Sequence, residues 1–329
     1  MILITGGAGY IGSHTVINFL NAGEKTVIFD NLENGHIETV KALQSIGDVE
    51  FFKGDLRNIE DIKQCFKKYE IEAVIHFAAF ALVGESVENP AKYYRNNTVG
   101  TLNLLDTMLE YNVKKIVFSS TCATYGNPVY VPVDEFHPQN PVSPYGTSKL
   151  MTERIMNDYD HAYGLKYICL RYFNVAGCDA QGRIGEWHEP ETHLIPNILK
   201  SVSDKNKIFK IFGNDYNTPD GTCIRDYVNV EDLAEVHRLA LDYLRLENKS
   251  DVFNIGTEKG QTVKNIFDIC EKVLNKKIQA EVAERRFGDA EALYANTTKA
   301  KNILNWVPER SMEDSIKTAY AWTGRGNNG

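Results

Sequence analysis

The sequence predicts an α/β protein: a doubly wound parallel sheet of the Rossmann type, with a smaller mixed α/β substrate-binding lobe. Three observations carry this expectation. In the first half, short runs that are apolar throughout alternate with stretches of helical period, as strands buried on both faces of a parallel sheet require. A glycine-rich turn, TGGAGYIGSH, separates the first apolar run from the first helical stretch. The second run ends on an acid, Asp30.

The elements follow in order. Residues 1–5 (MILIT) form the first strand, and residues 9–22 an amphipathic helix. TVIFD (26–30) precedes a polar loop and a helix over 38–46, and VEFFKGD (49–55) precedes one over 59–68. AVIHFAA (73–79) leads to a long helix over about 93–111, and KIVFSS (115–120) to a proline-rich loop and a helix from Pro144. KYICLRYFN (166–174) closes the series, and right-handed crossovers wind it into a double layer. The first domain is therefore expected to span 1–174. After Asn174, residues 177–196 read as a long functional loop rich in glycine, proline and acids. Strand-like runs at 207–213, 225–230 and 251–256 mix with helices over 231–246 and 263–274. Residues 175–329 are expected to form the second lobe, folded over the carboxyl ends of the sheet, with parts packing back on the first domain. The tail 324–329 (GRGNNG) is expected to fray.

Composition narrows the function. The 329 residues fit one large or two modest domains. Lys and Arg number 36 against 44 Asp and Glu, a net charge of −8, which gives no reason to expect nucleic acid or an anionic membrane as partner. The most apolar stretch, 73–84, is too short to span a bilayer. The chain passes straight into ILITGG without a charged n-region, so no signal peptide is expected. Six scattered cysteines with no Cys-x-x-Cys read as buried thiols in a reducing, cytoplasmic setting.

The turn places Gly6, Gly9 and Gly12 three apart at the mouth of a helix. Gly6 permits the tight turn, Gly9 lets the backbone approach a pyrophosphate, and Gly12 lets the helix pack on the sheet. The helix N-terminus then favours the anion. Asp30 would accept hydrogen bonds from both ribose hydroxyls of an adenosine, and its neighbourhood DNLENG holds no arginine to welcome a 2′-phosphate. NAD is therefore expected rather than NADP. Asp55 is the candidate for the adenine edge, with a plain cap of the next helix as the alternative.

In SPYGTSK, Tyr145 and Lys149 lie four apart and share one helix face. A tyrosine near pKa 10 needs help to act as a base at neutral pH, and an adjacent ammonium would favour its phenolate. FSSTCATYG brings Ser119, Ser120 and Thr121 to the same rim, where a hydroxyl could pass a proton to the phenol. The stretch GEWHEPETH gathers His188 and His193 among Glu186, Glu189 and Glu191, but Pro190 breaks any shared helical face and the spacing matches no zinc motif. It reads as a polar substrate loop, and no metal is expected.

Taken together, TGGAGYIGSH, Asp30, HFAA, FSSTCATYG, SPYGTSK and RYFN resemble the extended short-chain dehydrogenase/reductase superfamily. IFGNDYNTPDGTCIRDYVNVEDLA (211–234) and RRFGD (285–289) resemble, within it, the UDP-glucose 4-epimerase family, over nearly the whole chain. The resemblance implies that Tyr145 is the base, that Thr121 bridges it to the sugar 4′-oxygen, and that Lys149 binds the nicotinamide ribose. It implies that Ser119 and Phe173 border the nicotinamide and that Asn96 lies near the pyrophosphate. Tyr10, Ile11, Asn31, Leu56, Phe77, Ala78 and Ala79 complete the expected cofactor contacts. For a UDP-hexose it implies Asn174, Arg225 and Arg286 at the diphosphate and Asp289 at the uridine ribose. Leu194, Lys210 and Phe212 would border the uracil. Guanidinium forks suit a diphosphate. Leu293 stands at a gatekeeper position beside the sugar 2-position, where tyrosine restricts the pocket and cysteine or serine admits N-acetyl sugars. Ala81 stands where some members carry a lysine near the cofactor phosphates. A homodimer is also implied, with the 93–111 helix and the Tyr145 helix as candidate surfaces. The expected reaction is oxidation at C4, rotation of the 4-keto sugar and return of the hydride. A nucleotide-sugar 4,6-dehydratase is the rival reading, but it needs an Asp–Glu pair where Cys122 and Ala123 stand. A non-catalytic NAD-sensing module is the other, and it would not need the Tyr–Lys pair.

Overall fold

In a computed structural model, described over residues 1–203, 207–286 and 288–323, the first half forms the expected alternation. The elements are β1 (Ile2–Thr5), α1 (Tyr10–Asn21), β2 (Thr26–Asp30), α2 (Ile37–Ile46), β3 (Val49–Lys53), α3 (Ile59–Lys68) and β4 (Ala73–His76). Next come α4 (Val83–Glu88), α5 (Pro90–Tyr93), a π-helical turn (Tyr94–Val99), α6 (Gly100–Glu110), β5 (Lys115–Thr121), α7 (Pro144–Tyr163) and β6 (Lys166–Tyr172). Helix α7 shows why its sequence forms a helix there. The Ser143 hydroxyl accepts a hydrogen bond from Gly146 N, Pro144 occupies the first turn, and Gly164 ends the helix at φ 69°.

The second half adds β7 (Asn174–Ala176), α8 (Leu194–Ser203), β8 (Phe209–Phe212), β9 (Ile224–Arg225), β10 (Tyr227–Asn229) and α9 (Val230–Glu247). It ends with β11 (Asp251–Ile255), β12 (Gln261–Thr262), α10 (Val263–Leu274), β13 (Ala280–Ala283), β14 (Ala292–Leu293), α11 (Thr298–Leu304) and α12 (Met312–Thr323). The tail at 324–329, expected to fray, lies outside the described residues.

The main sheet has seven strands in the order β11–β6–β5–β4–β1–β2–β3, all paired in parallel. Chain order reverses between β1 and β4, so a crevice opens at their carboxyl ends, where such sheets bind ligands. Residues of α1 and α9 join Trp306 in a core on one face, and residues of α3, α6 and α7 form the core on the other. A third core lies in the second lobe, among α8, α10, α12 and β8.

Two expectations are corrected. Residues 251–256 were expected in the second lobe, but β11 is the edge strand of the main sheet, in register with β6 from Asp251↔Ile168 to Ile255↔Tyr172. Its short apolar run resembles the lobe's other short strands; only the pairing partner distinguishes it. The single helix expected over 93–111 is three pieces, because the π turn widens the helix at Asn96 and Asn97. Buried Asn97 accepts from Phe80 N (2.9 Å) and donates to Ser148 Oγ (3.1 Å), tying this turn to the loop after β4 and to α7.

Candidate functional site

The glycine turn explains itself by what a side chain would meet. Gly6 has φ 72°, and a Cβ there would lie 2.7 Å from Ala78 N. A Cβ on Gly12 would lie 2.3 Å from Gly6 O. Both glycines are demanded by the protein's own packing. Gly9 is different: a Cβ there meets only Gly6 O, at 3.4 Å. Its bareness serves what approaches from outside, as a pyrophosphate at the N-terminus of α1 would. Ile11 is half-buried in α1, and Tyr10 donates from its hydroxyl to Gly177 O at 2.5 Å.

Asp30 closes β2, nearly buried, and accepts from Ala8 N (3.1 Å) and Leu32 N (2.8 Å). Burial raises its carboxyl above the ordinary value against these two hydrogen bonds. Asp55 does not cap α3; Asn58 does, accepting from Glu60 N. Asp55 instead accepts from Asn31 Nδ2 (2.9 Å) and pairs with Arg57, which holds it down at about 2. Arg57 also pairs with Glu33 at 2.7 Å. The cation nearest this rim is thus bound to two carboxylates, which adds to the case against a 2′-phosphate. Leu56 is buried behind it, and Phe77 and Ala78 donate from their backbone N–H groups to Thr5 O. Ala79 is half-buried in the same loop, while Ala81 is exposed. Asn96, 8 % exposed, donates to Asn97 Oδ1 at 3.0 Å.

At the end of β5, Thr121 caps the short turn that follows, accepting from Ala123 N at 3.1 Å. Tyr145 stands opposite on the first turn of α7, edge-on to Tyr93 at 6.4 Å between centroids. Burial pushes its phenol up to about 12, and a hydrogen bond with Thr121 opposes the rise. Lys149 is not among the influences on that phenol. Its Nζ donates to Ser119 O at 2.6 Å and lies 4.7 Å from the Phe118 ring centroid. Burial pushes the lysine down to about 7. Desolvation thus dominates both groups, so lowering the phenol calls on the positive nicotinamide of an oxidised cofactor as well as on the Lys149 ammonium. Behind them, His76 bridges Thr5 Oγ1 (2.7 Å) and Thr101 Oγ1 (2.9 Å), and burial pushes it down to about 3, with the Lys149 charge adding to the effect. A neutral imidazole thus backs the lysine.

The second lobe carries the remaining candidates. Arg225 on β9 donates to Ile224 O (2.8 Å) and Ala290 O (2.7 Å) and faces Asp289 at 3.4 Å. Leu293 on β14 is the register partner of Arg225. Leu293 also packs on the cluster of Cys122, Tyr125, Val133, Phe173 and Ala295. Arg286 lies 4.0 Å over the Phe212 ring. Lys210 is exposed on β8, 3.5 Å from Glu281. Leu194 opens α8, and Asn174 opens β7 with its N–H on Asp226 O (3.0 Å). Phe287, within RRFGD, lies outside the described residues.

Two features follow only from the tertiary structure. The Tyr172 hydroxyl hydrogen-bonds Ser119 Oγ; its position in RYFN opposite β5 follows only from strand register. The loop over 177–193 gathers Glu186, His188, Glu191 and His193 so that one ligand atom from each lies within 4.8 Å of the others. Glu189 stays outside, accepting from Trp187 Nε1 at 3.3 Å. Pro190 does exclude a helix, but an irregular loop achieves the convergence. Burial works against the charged His188 ring, yet Glu186 and Glu191 outweigh it and lift it to about 9; His193 rises likewise to about 10.

Comparison with known proteins extends this geometry. The family described as GDP-mannose 4,6 dehydratase matches residues 3–319. A UDP-glucose 4-epimerase of Halalkalibacterium halodurans is 49 % identical over 322 residues, covering 98 % of this chain and 95 % of that one. The solved structure of UDP-glucose 4-epimerase from Bifidobacterium longum in complex with NAD+ and UDP is 37 % identical. It superposes with a TM-score of 0.94 and covers 100 % of this chain and 99 % of its own. The UDP-Glc/GlcNAc 4-epimerase of Campylobacter jejuni is 41 % identical with a TM-score of 0.87, covering 98 % and 99 %.

Proposed function

The chain belongs to the UDP-glucose 4-epimerase family of the extended short-chain dehydrogenases/reductases, and on that premise we propose that it interconverts UDP-glucose and UDP-galactose with NAD as its cofactor. The observation that carries the reading is the junction at Leu293. This residue pairs with Arg225 in strand register and packs on the cluster that includes Cys122 and Phe173. A diphosphate anchor and the Thr121–Tyr145 reaction centre are thereby joined by one short strand pair.

NAD, when bound, would supply a reversible acceptor for the C4 hydride of the hexose. The chain's own residues do the rest. Tyr145 takes the proton of the 4′-hydroxyl through Thr121, and Lys149 supports the ribose. Asn174, Arg225 and Arg286 hold the diphosphate, Asp289 the uridine ribose, and Leu194, Lys210 and Phe212 the uracil. The anchors concentrate on the nucleotide, so the hexose can turn about its diphosphate linkage. A dehydratase reading, which the broader family description invites, fails at Cys122 and Ala123. Burial pushes the Cys122 thiol up to about 12, and alanine has nothing to ionise.

Two further points belong to this proposal. Val83 and Val87 on α4, Val99 in the π turn and Met151 on α7 are 49, 63, 48 and 43 % exposed, on elements that pack side by side. Exposed apolar side chains on adjoining elements suit contact with a second copy of the chain. Among the described residues the six cysteines are free and buried, and no helix is long and apolar enough to cross a membrane. Both facts fit a cytoplasmic enzyme. The deciding experiment assays epimerisation of UDP-galactose and UDP-N-acetylgalactosamine in parallel. Turnover of UDP-galactose is expected, with some activity on the N-acetyl sugar because Leu293 is smaller than tyrosine. Absence of UDP-galactose turnover in NAD-loaded protein would overturn the assignment.

A further inference from the structure

We propose that Glu186, His188, Glu191 and His193 form a four-ligand site for a divalent transition-metal ion of the zinc class. The donor set is two imidazole Nδ1 atoms and two carboxylates, which zinc accepts and harder cations do not favour. The spacing fits. His188 Nδ1 lies 3.3 Å from Glu186 Oε1 and 3.8 Å from Glu191 Oε2, and His193 Nδ1 lies 2.8 Å from Glu186 Oε1 and 3.0 Å from Glu191 Oε1. Around an ion with bonds of about 2.0–2.1 Å, tetrahedral ligand atoms sit about 3.3–3.4 Å apart. The observed separations bracket that spacing, and one ligand atom from each residue lies within 4.8 Å of the others.

Two observations argue against a merely polar loop. Glu186 is 4 % exposed at its side chain, and its Oε1, like His188 Nδ1, is buried without a directed hydrogen bond. Buried polar atoms left without a partner call for one, such as an ion, whereas Glu191 Oε1 is already engaged by His193 N (2.7 Å) and His193 Nδ1 (3.0 Å). The Glu186 backbone is also fixed from both sides. Its N–H donates to Cys178 Sγ (3.5 Å), its carbonyl accepts from Trp322 Nε1 (3.0 Å), and the adjacent Trp187 stacks on His36 at 3.9 Å. The donor is positioned by the fold rather than by its neighbours in the cluster. Charge closes once the ion has displaced the two imidazole protons: two carboxylates and two neutral imidazoles then carry −2, which one divalent cation balances. The His188 ring stands edge-on to Tyr10 at 6.0 Å, so the ion would clasp the 177–193 loop to the start of α1.

The test uses the full chain, stripped with a chelator and titrated with Co²⁺, whose d–d spectrum reports coordination, and then with Zn²⁺ by calorimetry. Wild type is expected to bind one equivalent of each, with a tetrahedral Co²⁺ spectrum and a higher melting temperature in Zn²⁺ than in chelator. His193→Gln and Glu186→Gln are each expected to lose the spectrum and the Zn²⁺ shift. The variants' melting in chelator separates lost binding from failure to fold. No stoichiometric binding by wild type, or equal binding by folded variants, would show an ion-paired clasp or scattered surface histidines and end the proposal.

Discussion

Tyr145 and Lys149 are both held in a cleft that penalises charge. The phenol stands at about 12 and the lysine at about 7. Replacing Tyr145 by phenylalanine should leave NAD bound and reduce UDP-galactose turnover by about 10²–10⁴-fold, as loss of a general base does. Turnover near that of the wild type would remove Tyr145 from the mechanism. Lys149 makes a separate prediction about stability in the cofactor-free protein. Below pH 7 the lysine is protonated in both folded and unfolded chains, so the full cost of its buried charge is present. Between about 7 and 10.5 the unfolded chain binds a proton that the folded one does not, so stability rises with pH. Lys149→Met should therefore stabilise the cofactor-free fold at pH 6 by roughly 2–5 kcal/mol, with the advantage shrinking toward pH 10. Denaturant melts of both proteins across that range check it; a constant difference would mean that the lysine is not desolvated.

At the scale of an element, the turn between β1 and α1 separates packing from binding. A Cβ on Gly12 would strike backbone, at Gly6 O and at Gly7 Cα (2.9 Å). Gly12→Ala should lower the melting temperature and NAD occupancy together. Gly9→Ala should keep the wild-type melt of the stripped protein, because a Cβ there meets only Gly6 O at 3.4 Å, and lose NAD, because the methyl would stand where the pyrophosphate approaches. Equal melting losses in both variants would contradict that division. On α7, the Ser143 cap orients the first turn that carries Tyr145. Ser143→Ala should cost about 1 kcal/mol and show more in turnover than in global unfolding.

Over the whole molecule, the second half of the chain completes the first. Strand β11 extends the sheet, α9 covers one face, and buried Asn254 accepts from the Tyr125 hydroxyl at 2.6 Å. Tyr125 in turn accepts from Arg171, which pairs with Glu153 on α7 at 2.6 Å. This buried chain runs from the sheet edge to α7, so β11 is expected to unfold with the first half of the chain rather than with the second lobe. The apolar face of α4, the π turn and α7 is the surface to test for self-association. Met151→Glu should convert a dimer to monomer in light scattering after gel filtration. A monomeric wild type would remove the face from the assembly.

The alternation of apolar runs, the Gly6–Gly9–Gly12 spacing, Asp30 and the Tyr145–Lys149 pair were legible because each is local: strand burial, turn geometry and helix period act within a few residues. The sequence by itself thus determined the parallel-sheet half of the fold and the placing of Tyr145 and Lys149 on one helix. Tertiary structure decided what depends on distant partners. The place of β11 came from its pairing with β6, the seating of Leu293 between Arg225 and Phe173 from a three-strand ribbon, and the convergence of Glu186, His188, Glu191 and His193 from a loop without period. The physical reason is the same in each case: pairing and desolvation are set by whatever the folded chain brings alongside, and no local spacing encodes that.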